Sequence, residues 1–84
     1  MSSRHERTLA AVFEEPTRAN ILWRDIVSML LHYGCVMEEG AGSRVDFRLG
    51  ARRAVFHRPH PQKEAKPRTV RDVRRFLESA GLKP

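Results

Sequence analysis

The residues best suited to chemistry lie in residues 42–61, which read GSRVDFRLGARRAVFHRPHP. Cleavage of RNA without a metal needs a base for the 2′-hydroxyl proton, a cation for the charged phosphorus, and an acid for the leaving 5′-oxygen. Histidine is the side-chain type that exchanges protons near neutral pH, and the stretch contains His57 and His60. Its arginines can bind phosphate oxygens through paired hydrogen bonds. These residue types suit phosphodiester chemistry, and they suit an ordinary solvated basic surface as well.

Strand pairing predicts which of these residues lie side by side. Gly50-Ala51 has the glycine-first pattern of a two-residue type II′ turn, so Arg44 should face His57 across the hairpin. If Gly40-Ala41-Gly42 is a three-residue turn, Glu38 lies opposite Arg44. We therefore predict a row of Glu38, Arg44 and His57 across the exposed face of a sheet.

The predicted row resembles the catalytic set of microbial ribonucleases. In that set a glutamate acts as the base, an arginine binds the transition-state phosphate, and a histidine acts as the acid. His60 is the alternative acid-base residue. The other interpretation is a surface Glu38–Arg44 ion pair beside a bystander histidine, since such pairs are common and individually weak.

Positive charge is concentrated in the second half of the chain. Residues 1–42 contain four arginines and six acidic residues, a net charge of −2, whereas residues 43–84 contain twelve Lys or Arg and four acidic residues, a net charge of +8. A basic surface of this kind attracts nucleic acid or an acidic protein. We expect the RNA-binding residues to be Arg48, Arg53, Arg58, Lys63, Arg68, Arg71, Arg74 and Arg75. For the arginines of the last helix, a solvated face is the competing interpretation.

Residue spacing predicts an α+β domain with the order helix, helix, three strands, helix. Apolar residues three and four apart predict helices over 4–13 and 22–33, the second ended by Gly34. Alternating residues predict strands over 35–39, 43–49 and 52–57. Residues 57–68 contain three prolines and should form a loop, after which Thr69 and Asp72 should cap the last helix. Helices then cover one face of the sheet and leave the other face to solvent or a partner.

The length of 84 residues fits one small domain. We divide it into an accessory N-terminal segment, 1–16, and a main domain, 17–84; whether the first helix packs on its own domain or on another copy, and the oligomeric state, are left open. The single Cys35 excludes an internal disulfide and should be a core residue. No apolar stretch is long enough for a signal peptide or a membrane span, so we expect a cytoplasmic protein. One thiol without further ligands at zinc-finger spacing gives no zinc signature, and we expect no cofactor or metal.

Four sequence segments resemble the HicA toxin family of bacterial toxin-antitoxin operons. They are LLHYGCV at the end of the second helix, GSRVDF on the second strand, HRPH after the third strand, and TVRDVRRFLESAGL as the last helix. The similarity runs from about Trp23 to Leu82 and implies a double-stranded-RNA-binding-domain-like fold, α-β-β-β-α. It also implies a metal-independent mRNA interferase that a HicB antitoxin neutralises by covering the active surface. The family typically has a histidine directly after the glycine-serine pair, and this chain has Arg44 there.

Three functional hypotheses follow from the sequence. The first is a HicA-like toxin that binds mRNA and cleaves it. The second is an RNA-binding module without catalytic activity. The third is a protein-interaction domain whose basic sheet binds an acidic partner.

Overall fold

Residues 3–84 of the chain are described by the computed structural model, and Met1 and Ser2, which fall in the predicted accessory segment, lie outside the described residues. The order of elements is α-α-β-β-β-α. Their bounds are α1 (Arg4–Val12), α2 (Trp23–His32), β1 (Val36–Glu39), β2 (Arg44–Leu49), β3 (Arg52–His57) and α3 (Pro67–Ser79). This order confirms the predicted α+β class and its similarity to the double-stranded-RNA-binding-domain fold.

The N-terminal helix packs on its own domain. Ser3 caps α1 by accepting a hydrogen bond from the Glu6 N–H, while the Glu6 side chain accepts one from the Ser3 N–H. Leu9 and Val12 are buried, and α1 contacts both α2 and α3. These side chains belong to the same core as the rest of the chain, and the division at residue 16 stays a prediction.

One layer of apolar side chains joins the sheet to the helices. The sheet is antiparallel with the order β1-β2-β3. Its inward-facing residues pack against α2 and α3, and the buried set includes Val45, Phe47 and Phe56 from the sheet, Ile26, Met29 and Leu30 from α2, and Val70, Val73 and Leu77 from α3. Cys35 is buried beside them, as predicted, and this burial raises the pKa of its thiol.

The second hairpin has the predicted register. Arg44 pairs with His57, Phe47 pairs with Ala54, and Leu49 pairs with Arg52. Gly50 has a φ of 61°, and no described residue other than glycine has a positive φ. A positive φ at the first turn position alone is what a type II′ turn requires, so glycine is needed there.

The predicted register of the first hairpin is wrong by two residues. Glu38 pairs with Asp46, and Arg44 pairs with no β1 residue. The turn consists of residues 41–43, because the Gly40 N–H donates to the Arg44 carbonyl at 2.9 Å and the Arg44 N–H donates to the Ala41 carbonyl at 3.3 Å. A shift of two residues keeps every side chain on its predicted face but changes its cross-strand neighbours.

The predicted start of the last helix is also wrong. Helix α3 begins at Pro67, with Lys66 as the N-cap residue and no side-chain cap, rather than with a capping box of Thr69 and Asp72. Proline suits the first helical position because its missing N–H would have no helical partner there. The preceding loop is as predicted except for an isolated β-bridge between Leu22 and Glu64.

Candidate active site and RNA-binding surface

The candidate site lies where the end of β3 meets the turn between β1 and β2. His57 is the last residue of β3, and its Nδ1 is hydrogen-bonded to the Ser43 Oγ at 3.1 Å. The Arg58 N–H donates to the Ser43 carbonyl at 2.8 Å, which extends the contact between the turn and the strand by one residue. Both interactions hold the His57 ring at the edge of the sheet, with Nδ1 engaged and Nε2 left for other contacts.

A cavity of about 300 Å³ contains both candidate histidines. We name it the histidine pocket, and its lining residues are Ser43, His57, Arg58, Pro59, His60, Lys66 and Thr69. Lys66 precedes α3, so the positive end of the helix dipole lies at the same place. His57 also lines an adjoining cavity of about 310 Å³ with Arg68 and Thr69. The histidine pocket thus has two imidazoles and two cations, Arg58 and Lys66, in its lining, and these residue types suit metal-free phosphodiester chemistry.

Arg44 lies opposite His57 in the sheet but does not line the histidine pocket. A Cβ added at Gly40 would lie 2.9 Å from the Arg44 Nε. The Arg44 side chain therefore lies over Gly40, on the β1 side of its strand, whereas His57 lies on the β3 side. Glycine at position 40 leaves the space that this side chain occupies.

Glu38 is not brought to His57. Its cross-strand neighbour is Asp46, whose own partner on β3 is Val55, so the predicted row of Glu38, Arg44 and His57 is wrong. Asp46 forms an ion pair with Arg53 at 3.0 Å, and its Oδ1 is buried without a described hydrogen-bond partner. Glu38 thus lies in the cross-strand row of Asp46 and Val55, two residues along the strands from the row that contains Arg44 and His57.

The expected RNA-binding residues occupy three surfaces. Arg48 and Arg53 are cross-strand neighbours on the exposed face of the sheet. Arg58, directly after β3, forms an ion pair with Glu39 and shares a second cleft with Lys63. The remaining residues lie on α3: Arg68, Arg71, Arg74 and Arg75.

Arg74 differs from the other arginines of α3. Its Nε donates to the Val12 carbonyl at 3.0 Å, one Nη donates to the Glu14 carbonyl at 2.9 Å, and the other donates to the Glu15 carboxylate at 2.8 Å. Its side chain is only 16% exposed, against 79% for Arg75. Arg74 therefore holds the C-terminal end of α1, and its predicted contact with RNA stays a prediction that would require these bonds to break.

A larger cleft lies beside Trp23, and no sequence pattern predicted it. The cleft measures about 660 Å³, and its lining residues are Leu22, Trp23, Arg24, Arg58, Pro59, Pro61, Gln62 and Lys63. Trp23 is only half-buried, with its ring 6.5 Å from that of Phe56. The signal that could have revealed the cleft is Ala65, an apolar residue in a charged segment, which is buried and marks where the loop packs on the domain.

Comparison with protein-family models found a match, which covers α2 through α3, the elements around both cavities. Residues 23–82 match the family model described as the HicA toxin of bacterial toxin-antitoxin. The chain belongs to the HicA toxin family. Comparison with curated proteins and with solved structures gave no match. Helix α1 lies outside the matched residues of this HicA-family chain, and none of the helices in residues 3–84 is long and apolar enough to cross a membrane.

Proposed function

We propose that this HicA-family chain is the toxin of a toxin-antitoxin pair and that it binds mRNA and cleaves it without a metal ion. The observation that carries the proposal is the histidine pocket, in which His57 and His60 lie together with Lys66. Bacterial mRNA is the substrate expected of a HicA toxin, and its site of action would be the cytoplasm. The basic second half of the chain supplies the sequence-independent attraction for phosphates.

His57 and His60 share the acid-base work in this proposal. Ser43 occupies Nδ1 of His57 and orients the ring, which leaves Nε2 to exchange a proton with the substrate. Lys66 binds the phosphate and stabilises its transition-state charge, and Arg58 joins it once its ion pair with Glu39 opens. Arg44 joins them only after turning from Gly40 toward His57, a rotation open to an exposed side chain. Glu38 has no place in this scheme because it lies opposite Asp46.

A HicB-like antitoxin is the proposed protein partner. The exposed face of the sheet carries Val36 and Val55, which are 55% and 43% exposed, among charged residues. An apolar and basic surface suits a partner that covers it with apolar and acidic side chains.

Cleavage of labelled RNA by the purified protein in the presence of EDTA tests the proposal. His57→Ala and His60→Ala should each slow cleavage by about a hundredfold or more, because each removes an acid-base group. His32→Ala is the matched control, since this exposed histidine lies on α2 outside the histidine pocket. Full cleavage by either pocket variant would contradict the proposed chemistry.

A second function, RNA binding without cleavage, is favoured by one observation. Arg44 stands where the family typically has its histidine, and its side chain lies away from the histidine pocket. Binding of RNA by the parent protein without cleavage of any RNA tested would establish this alternative.

A further inference from the structure

The Trp23 cleft has walls that backbone hydrogen bonds hold in place. We use this name for the cleft of about 660 Å³ between the start of α2 and the loop after β3. The Trp23 N–H donates to the Lys63 carbonyl at 2.9 Å, and the Ala65 N–H donates to the Ile21 carbonyl at 2.9 Å. The bridge between Leu22 and Glu64 lies between these two bonds. The cleft is therefore a fixed feature of the fold.

The lining of the Trp23 cleft combines apolar side chains with positive charge. Leu22, Trp23 and two prolines supply the apolar part, and its charged lining residues are Arg24, Arg58 and Lys63, all of them cations. Neither Arg24 nor Lys63 forms an ion pair with another described residue, so both charges are available to a ligand.

This chemistry fits one nucleotide of a single strand. An aromatic side chain offers a surface on which any base can stack, and nearby cations bind the backbone phosphates. The volume of about 660 Å³ lies within the range of about 300–1,000 Å³ that small-molecule sites have. Adjoining it is a smaller cavity of about 320 Å³, which shares Trp23, Arg24 and Arg58 with it and is also lined by Val27, Met37, Val45 and the acidic Glu39. Its apolar lining gives the ribose room, whereas the neighbouring phosphate lies on the side of Arg24 and Lys63, away from Glu39.

The Trp23 cleft adjoins the histidine pocket. Arg58 and Pro59 line both, so one short segment of chain separates the two spaces. An RNA strand that crosses Arg58 can place one phosphate beside His57 and His60 and the adjoining base beside Trp23.

We propose that the Trp23 cleft holds one unstacked nucleobase of single-stranded RNA next to the phosphate that the histidine pocket cleaves. This inference rests on the proposed function and adds the form of the substrate. A base inside a duplex is stacked on its neighbours and cannot enter the cleft, so single-stranded RNA is the preferred substrate.

Tryptophan fluorescence gives a direct test, because Trp23 is the single tryptophan of the chain. The probe is a short single-stranded 2′-O-methyl oligoadenylate, which lacks the free 2′-hydroxyl needed for cleavage. It should quench the emission of Trp23. An oligomer with the same phosphates but abasic sugars, and the same sequence in a duplex, should bind with much less quenching. Equal quenching by all three probes would overturn the inference.

Variants separate the base contact from the phosphate contacts. Trp23→Leu should weaken binding of the single strand by about five- to a hundredfold, the loss expected for one base stacked on an aromatic side chain, and Trp23→Phe should restore most of it. Lys63→Glu should also weaken binding, with Lys83→Glu as a control of the same type and charge change. Circular dichroism establishes that each variant is folded. If a folded Trp23→Leu bound the single strand like the parent, the inference would be wrong.

Anisotropy of labelled RNA and a cleavage assay distinguish failure of this inference from failure of the proposed function. RNA that is bound and cleaved without quenching of Trp23 would overturn the inference alone. Absence of RNA binding would overturn both. Quenching by a purified acidic antitoxin, without quenching by RNA, would assign the Trp23 cleft to a protein partner and would likewise overturn it.

Discussion

Replacement of Arg74 by methionine should destabilise the protein, whereas the same replacement of Arg75 should not. Both residues are on α3, and methionine keeps most of the apolar stem of arginine while removing the guanidinium. The Arg74 guanidinium donates to the carbonyls of Val12 and Glu14 at 3.0 and 2.9 Å. Val12 is the last residue of α1, so these carbonyls lie at its C-terminal end. Arg75 forms an ion pair with Asp72 at 3.8 Å, and its side chain is 79% exposed.

The magnitude follows from the two carbonyl contacts. Hydrogen bonds to a charged group contribute about 1.5–3 kcal/mol each, and the two share one guanidinium, so they do not add in full. The ion pair with Glu15 adds little, because that carboxylate is 73% exposed. We expect Arg74→Met to lower the free energy of unfolding by about 2–4 kcal/mol, a fall in Tm of about 10–25 °C for a domain of this size. Arg75→Met should stay within about 0.5 kcal/mol of the parent.

Urea and thermal unfolding followed by circular dichroism measure both variants. Arg74→Lys should lie between the parent and Arg74→Met, since an ammonium can reach only part of the set of acceptors. If Arg74→Met and Arg75→Met had the same stability, the contact with the end of α1 would not stabilise the fold, and the reasoning would be refuted.

Two further predictions concern salt and pH. If about four to six phosphates are neutralised, a plot of the logarithm of the RNA-binding constant against the logarithm of the salt concentration should have a slope near −3 to −4. Arg71→Ala should reduce the magnitude of this slope by about 0.7 for every RNA sequence, whereas the control Arg18→Ala should leave it unchanged. A slope near zero would exclude nucleic acid as a ligand. Partial burial, together with the positive charges of His32 and Arg4, lowers the pKa of His5 below its ordinary value of 6.5. The unfolded chain therefore binds more protons at His5 than the folded protein, so stability should fall as the pH drops through about 6.5 toward the lower, folded-state pKa. His5→Gln should flatten that part of the pH profile measured by urea unfolding, and an unchanged profile would contradict the role of His5.

The second hairpin shows what sequence can predict here. With a two-residue turn at Gly50-Ala51, a single register of β2 and β3 buries both Phe47 and Phe56. Turn type and apolar alternation therefore predict the same strand pairing. The pairing of Arg44 with His57 followed from that agreement. Helix α2 was equally predictable from the sequence, because its apolar spacing is followed by Gly34, which has a φ of 98°.

The first hairpin shows why the rest of the candidate site could not be predicted from the sequence. The segment from Gly40 to Ser43 contains two glycines, and moving the turn by two residues changes no inward-facing position to outward-facing. Apolar pattern cannot separate such registers, and only the backbone hydrogen bonds of Gly40 and Arg44 decide between them. The partner predicted for Arg44 therefore depended on the least constrained turn of the chain, and Glu38 was misplaced with it.

The place of the histidine pocket depends on packing rather than on strand pairing. His57 and His60 are separated by a loop with no apolar period, and nothing in the spacing says that both face one cavity. They do so because Pro67 starts α3 close to the sheet end and because the Leu22–Glu64 bridge holds the loop against α2.

This arrangement bears on the histidine that the family typically has at position 44. An imidazole there would lie directly opposite His57, one strand spacing of about 4.8 Å away. The same end of the sheet would then carry two imidazoles, one on β2 and one on β3. In this chain the β2 position is Arg44, and the second imidazole of the pocket comes from His60 in the loop. The chemistry we propose therefore needs no histidine on β2, provided that the loop keeps His60 beside His57, and loss of cleavage in His60→Ala is the result that this argument requires.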